Sequence, residues 1–175
     1  MSSPTLKSPG VVKELLKNYL GDMGLVIDKE FETDESSGFW VKSVDFPILV
    51  ENHKTVHYWV VALQITFSND TIIKTVNERY EQQDHRFVFQ LTQVLASPQT
   101  SFTRAVDDGR IKGFTIFKNI YPFHDGFTIS DLDQAVQAVL SVGAVGVAFL
   151  KSEMGQMDLD HTPPRPASEP GPMYE

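Results

Sequence analysis

The stretch Tyr58–Phe67, YWVVALQITF, decides the fold class. Its odd positions are Trp59, Val61, Leu63, Ile65 and Phe67, all large and apolar. Its even positions are Tyr58, Val60, Ala62, Gln64 and Thr66, which turn polar toward the far end. Successive side chains of a strand point to opposite faces. The spacing therefore predicts a strand with one deeply buried face and a second face that is apolar over half its length. A half-apolar second face calls for cover by a helix, a subunit or a bound peptide. Tyr58, Val60 and Ala62, with Phe39 and Val41 expected on the same face, are the candidate partner-binding residues; the first or last helix is the intramolecular alternative.

Upstream, Pro9 precedes a stripe of Val11, Val12, Leu15, Leu16, Tyr19 and Leu20 that stops at Gly21 and Gly24. That is a helix of about three turns opened by proline. Leu25–Glu32 mixes β-branched and charged residues, and Thr33–Gly38 supplies a loop. Gly38–Val50 reads as one extended run in which Pro47 marks an edge or bulge. Glu51–Val56 is the turn into Tyr58–Phe67.

Downstream, Ser68, Asn69 or Asp70 caps a second helix. Its stripe is Ile72, Ile73, Val76, Tyr80, Phe87, Val88, Leu91, Val94 and Leu95. Tyr80 and Phe87 keep heptad phase across the polar patch Glu81–Arg86, so one long helix with a kink point near Gln83 is expected. Asp107-Asp108-Gly109 between two strand-like runs is a hairpin signal, and His124-Asp125-Gly126 is a further turn. Ser130 is the expected cap of a last helix, with Asp133 at the capping-box position and an apolar stripe from Leu132 to Leu150. The order is α-β-β-β-α-β-β-α. The fold class is α+β: an antiparallel sheet of about five strands packed with three helices.

The 175 residues fit one domain. Residues 1–9 read as a flexible N-terminus and 10–154 as the α+β domain. Five of the ten prolines fall in the last 13 residues, so 155–175 reads as a proline-rich flexible tail. No basic-capped apolar leader is visible, and the longest unbroken apolar stretch, Val142–Leu150, is nine residues. A bilayer span needs about 20, so a cytoplasmic protein with no membrane association is expected. The net charge of −8 argues against broad phosphate-backbone binding. The absence of cysteine excludes disulfides, cysteine metal sites and a thiol nucleophile.

The chain resembles the type III secretion chaperone-like fold and the related YbjN-like proteins of bacteria and archaea. Three stretches carry the likeness: YWVVALQITF (58–67), the second helix, and DDGRIKGFTIFKNIYPFHDGFTISDLDQAV (107–136). The resemblance implies a small, acidic, non-enzymatic homodimer that binds partner polypeptides or acts in regulation. The proline-rich tail departs from it.

No residues assemble into a recognisable catalytic or cofactor motif. His53, His57 and Glu51 have metal-binding chemistry, but two histidines four apart in extended chain are about 13 Å apart, too far to share an ion without a tight turn. His85, with Asp84 and Glu81, has the spacing of a surface ion pair on a helix. His124 sits in a turn with Asp125. Asp107 and Asp108 fit turn chemistry better than calcium ligation. Gly143 and Gly146 are too closely spaced for a phosphate loop and suit close helix packing. Arg104, Arg110, Lys112 and Lys118, interleaved with Phe114, Phe117 and Tyr121, make the hairpin basic and are the nucleic-acid alternative. The leading expectation is a protein-interaction domain, chaperone-like or regulatory, that binds another chain or itself and carries no metal or cofactor. A small-ligand pocket or enzyme between sheet and helices is the other alternative.

Overall fold

Proline at the first helical position sacrifices no backbone hydrogen bond, and Pro9 opens α1 (Pro9–Asp22), which buries Val12, Leu16 and Leu20. In the computed structural model, residues 6–43 and 46–155 and the backbone of 159–160 are described. After α1 come four antiparallel strands in sequence: β1 (Val26–Glu32), β2 (Ser36–Lys42), β3 (Ile48–His53) and β4 (Trp59–Phe67). Helices α2 (Asp70–Glu81) and α3 (His85–Leu95) follow. The hairpin β5 (Ser101–Asp107) and β6 (Arg110–Ile120) then returns to the sheet, β6 pairing with β4. Helix α4 (Ile129–Met154) and the two-residue strand β7 (Leu159–Asp160), which pairs with the end of β4, close the described chain. The sheet order is β1-β2-β3-β4-β6-β5.

The class is α+β with an antiparallel sheet, as the alternation in Tyr58–Phe67 requires. The counts differ: six long strands and four helices instead of five and three. One difference lies in Gly38–Val50, which is two strands. Trp40 pairs with Leu49 and Val41 with Ile48, so the chain reverses between them, and Ser43 Oγ bonds the backbone of Phe46. Pro47 lies at the exit of that loop, before β3, and not in a strand.

The other difference is the second helix, which is two. Gln83 adopts φ 51°, a left-handed conformation that no helix continues through. Asp84 then caps α3, its carboxylate accepting from the Phe87 N–H at 3.1 Å. Heptad phase survives because both helices lie on one sheet face, Tyr80 meeting Phe87 edge-on and Phe114 at a tilt, with 6.4 Å between ring centres in each pair. The cap of α4 also moves, from Ser130 to Thr128. The Asp131 carboxylate accepts from the Thr128 N–H at 2.7 Å and from its hydroxyl at 2.8 Å. The hairpin expected at Asp107-Asp108-Gly109 is present, with positive φ at Asp108 and Gly109 as a type I′ turn demands.

All four helices contribute to one core against one face of the sheet. α4 crosses β4 and β6 closely because its glycines remove side chains: a Cβ at Gly143 would stand 3.0 Å from the Leu63 methyls, and one at Gly146 would stand 2.6 Å from a Leu95 methyl. By length and composition α4 could itself cross a bilayer, with a mean hydropathy of 1.6 over 18 residues, a property that the count of unbroken apolar residues did not reveal. In the fold its buried stripe, Leu132, Val136, Val139, Val147 and Leu150, faces the sheet core. Of the segment 155–175, Gly155 and β7 are described; the tail expected there otherwise lies outside the described residues, as do residues 1–5.

Two outcomes test this packing. A Cβ at Gly113 would lie 2.1 Å from the Ile65 carbonyl oxygen, whereas one at Gly21 would meet nothing within 4 Å. Gly113→Ala should therefore lower the midpoint of urea unfolding, while Gly21→Ala should raise stability by about 0.5–1 kcal/mol. The second outcome concerns α1 and β1, which are joined by charge: Lys13 Nζ lies 2.9 Å from Glu30 and 3.0 Å from Glu32, and Lys17 Nζ lies 3.1 Å from Glu30. Hydrogen bonds from Lys13 and Lys17 hold the Glu30 carboxyl below its ordinary 4.5; those from Lys13 and Lys54 do the same for Glu32. Partial burial pulls the Lys13 ammonium down, but the two carboxylates outweigh it and raise its pKa. Depressed carboxylates contribute stability that is present above the unfolded value and lost as pH falls through the folded one. Lys13→Met should lower the melting temperature at neutral pH, and the gap to wild type should close below 4.5.

Candidate functional site

Sheet register settles which residues share a face. Phe39 pairs with Val50, and Val50 with Val61, so all three face the helices. Phe39 and Val41 are accordingly core residues, Phe39 stacking on Trp59 at 6.0 Å. The expectation that they share a face with Val60 and Ala62 is corrected: alternation fixes phase within a strand but not between strands. The opposite face carries no helix among the described residues. Its central row is Lys29, Trp40, Leu49, Ala62, Phe117 and Ser101, one residue from each long strand. The next row is Phe31, Gly38, Glu51, Val60 and Asn119.

Aromatic and aliphatic groups dominate these rows. The Phe31 and Trp40 rings lie 4.4 Å apart, with Lys29 Nζ 5.2 Å from the Trp40 ring centre. Gly38 leaves room for Phe31, whose Cζ would stand 2.9 Å from a Cβ there. Tyr58, just before β4, lies 6.3 Å from Tyr121, which is 54% exposed. The Asn52 amide donates to the carbonyls of Tyr58 and Val56 at 2.6 and 3.1 Å, fixing the β3–β4 turn beside them. Tyr58, Val60 and Ala62 thus stand at one end and the centre of a helix-free face. Trp40, Leu49 and Phe117 were missed as its members. Ile48-Leu49-Val50 held the available signal, since an unbroken apolar run marks a strand covered on both faces.

Two solved structures share this architecture. An uncharacterised protein from Methanothermobacter thermautotrophicus superposes with a TM-score of 0.67 at 13% identity, over 82% of this chain and 99% of that one. YbjN from E. coli, a proposed transcription regulator, superposes with a TM-score of 0.52 at 13% identity, over 88% and 98%. The fold is YbjN-like. No protein-family model matches the sequence, and no curated protein matches it.

On this YbjN-like scaffold the other candidate residues are dispersed. Arg104 faces the helices, its guanidinium 5.8 Å from the Tyr80 ring centre. Lys118 lies in the same helix-side row as Val61 and lowers the Asp131 carboxyl electrostatically, behind the stronger hydrogen bonds from Thr128. Arg110 pairs with Asp107 at the hairpin tip, and Lys112 is the bulge residue between Ile111 and Gly113. The four bases of the nucleic-acid alternative therefore do not form one patch. A tight turn does join His53 to Val56, but the His53 ring bonds Thr55 Oγ at 2.9 Å and His57 packs edge-on against Phe123. Among the described residues no three His, Asp or Glu side chains converge as metal ligands.

A cleft of about 470 Å³ opens between α2, α3 and β5, lined by Tyr80, Val88, Thr92, Phe102, Thr103 and Arg104. Burial raises the Tyr80 phenol, partly opposed by Arg104. Neither His57 nor His124, the histidines considered for a sheet–helix pocket, lines it.

The helix-free face makes a measurable claim about Leu49, which is 1% exposed there. Leu49→Ala should destabilise the protein by about 2–5 kcal/mol, the cost of emptying a packed core site. A urea-unfolding difference below about 0.5 kcal/mol, typical of open surface, would mean that this face is bare.

Proposed function

We propose that this chain is a non-enzymatic, regulatory protein-interaction domain that binds an extended segment of a partner polypeptide across its helix-free sheet face. The observation that supports it most is the row Trp40, Leu49, Ala62 and Phe117, apolar across four adjacent strands with no described helix above it. An apolar sheet face of this width is a binding surface unless something covers it. Tyr58 and Tyr121 extend it with aromatic groups of the kind that anchor interfaces. The likeness to YbjN, itself proposed to regulate transcription, agrees with a regulatory setting. Holding an extended segment on a flat face is also the chaperone-like form of the same role.

The homodimer expected of such a chain has its own supporting observation. Val145 on α4 is 55% exposed, and Ser141, Ala144 and Ala148 beside it are exposed as well. Small and apolar residues along a helix allow close approach of a second helix, which makes α4 the surface for self-association. Light scattering should then give twice the 19.7 kDa chain mass, falling to one chain mass in Val145→Asp. Partner capture should separate the two surfaces: Val60→Arg should weaken it by more than about tenfold while leaving the dimer intact. Equal capture by Val60→Arg and wild type would overturn the sheet-face reading.

A further inference from the structure

Leu49 and Ala62 are 1% and 4% exposed, yet neither belongs to the helix-side core. Glu51, in the neighbouring row, is 8% exposed. The Thr66 hydroxyl oxygen, farther along β4 on the same side, is also shut off from solvent. These positions are shielded on a sheet side where the described residues place no helix. Something other than a helix covers them.

The path of the chain indicates what it is. Leu159 and Asp160 pair antiparallel with Phe67 and Thr66, on the edge of β4 that β3 occupies over residues 60–63. Only the positions opposite Ile65 and Gln64 separate Asp160 from Ile48. Pro163 and Pro164 follow after His161 and Thr162, and proline has no N–H with which to extend a ladder. A ladder cannot run on through them in the sheet plane. On the helix side α4 fills the space, a Cβ at Gly146 standing 3.3 Å from Ile65 Cδ1 and one at Gly143 standing 3.0 Å from the Leu63 methyls. The other side is the helix-free face.

We propose that residues 161–175, HTPPRPASEPGPMYE, lie across that face and cover the row Trp40, Leu49, Ala62 and Phe117. Fifteen residues in polyproline conformation reach about 46 Å, against about 14 Å from β4 to β1 at strand spacing. Prolines pack on aromatic rings, and Trp40 and Phe117 flank Leu49 and Ala62 in the row. Arg165 is the one Lys or Arg in the segment, and Glu51 is the one carboxylate in the two central rows, so their charges match. A tethered segment acts at high effective concentration, and a partner that uses this face must displace it. That competition rests on the partner reading; the coverage does not.

The cysteine-free sequence permits a direct test on the full chain. A nitroxide is attached through Ala167→Cys, and separately through Ser168→Cys, and amide NMR intensities are compared before and after its reduction. The amides of Trp40, Leu49, Ala62 and Phe117 should lose most of their intensity in both variants, and those of Ser141 and Ala144 on the far side of α4 should keep theirs. Uniform intensities, or losses centred on the helices, would overturn the proposal. So would loss in a mixture of spin-labelled chain with isotope-enriched unlabelled chain, which would make the cover a second copy. The Val60→Arg capture experiment reads the partner hypothesis separately, so failure of one leaves the other standing.

Discussion

β4 is hydrogen-bonded on both sides, to β3 and β7 along one edge and to β6 along the other. A strand in that position has little edge to solvate, and its ten-residue alternation from Tyr58 to Phe67 leaves two faces to be accounted for. One is satisfied by the helices. Leu63 meets Gly143 and Ile65 meets Gly146, so α4 approaches the sheet as closely as its missing side chains allow. Burial of this face supplies the dominant stabilising term, about 1.5–3 kcal/mol for each large apolar side chain. The positions of α1, α2 and α3 follow from the same demand, since each has one apolar stripe and one sheet face to put it on.

The second face separates this fold from a sheet with one wet side. Where an antiparallel sheet faces water, its outward positions are ordinarily polar. Here the central row is Trp40, Leu49, Ala62 and Phe117, with Lys29 and Ser101 at its ends and Glu51 and Asn119 in the row beside it. That arrangement suits an extended polypeptide bound flat against the sheet, whether it comes from a partner or from the chain itself. Several other polar side chains serve the fold. Asp84, Asn69 and Asp131 serve helix starts, Asn77 ties α2 to β6 through Ile111, and Lys13 with Lys17 ties α1 to β1.

Much of this was legible along the chain wherever the deciding contact is local. Pro9, the Asp108-Gly109 turn and the alternation of β4 each act over a few residues, and each reads directly. The helix break at Gln83 was obscured because the stripe continues in phase on either side of it, while the decisive event is a single residue at positive φ followed by Asp84 as a cap. The β2–β3 reversal was obscured because Ser43–Pro47 lacks an Asn-Gly or Asp-Gly turn; a serine hydroxyl bonding the Phe46 backbone does the work instead.

By itself the sequence determined the fold class, the antiparallel sheet, the hairpin and which residues of each strand alternate together, because period and turn chemistry are properties of neighbouring residues. Only the tertiary structure decided how those alternations align from strand to strand. Register is a long-range pairing, and a slip of one residue exchanges the two faces of a strand. It took Phe39 and Val41 from the expected partner face into the core, brought Trp40, Leu49 and Phe117 beside Ala62, and dispersed the basic residues of the β5–β6 hairpin between the helix side, the bulge and the tip.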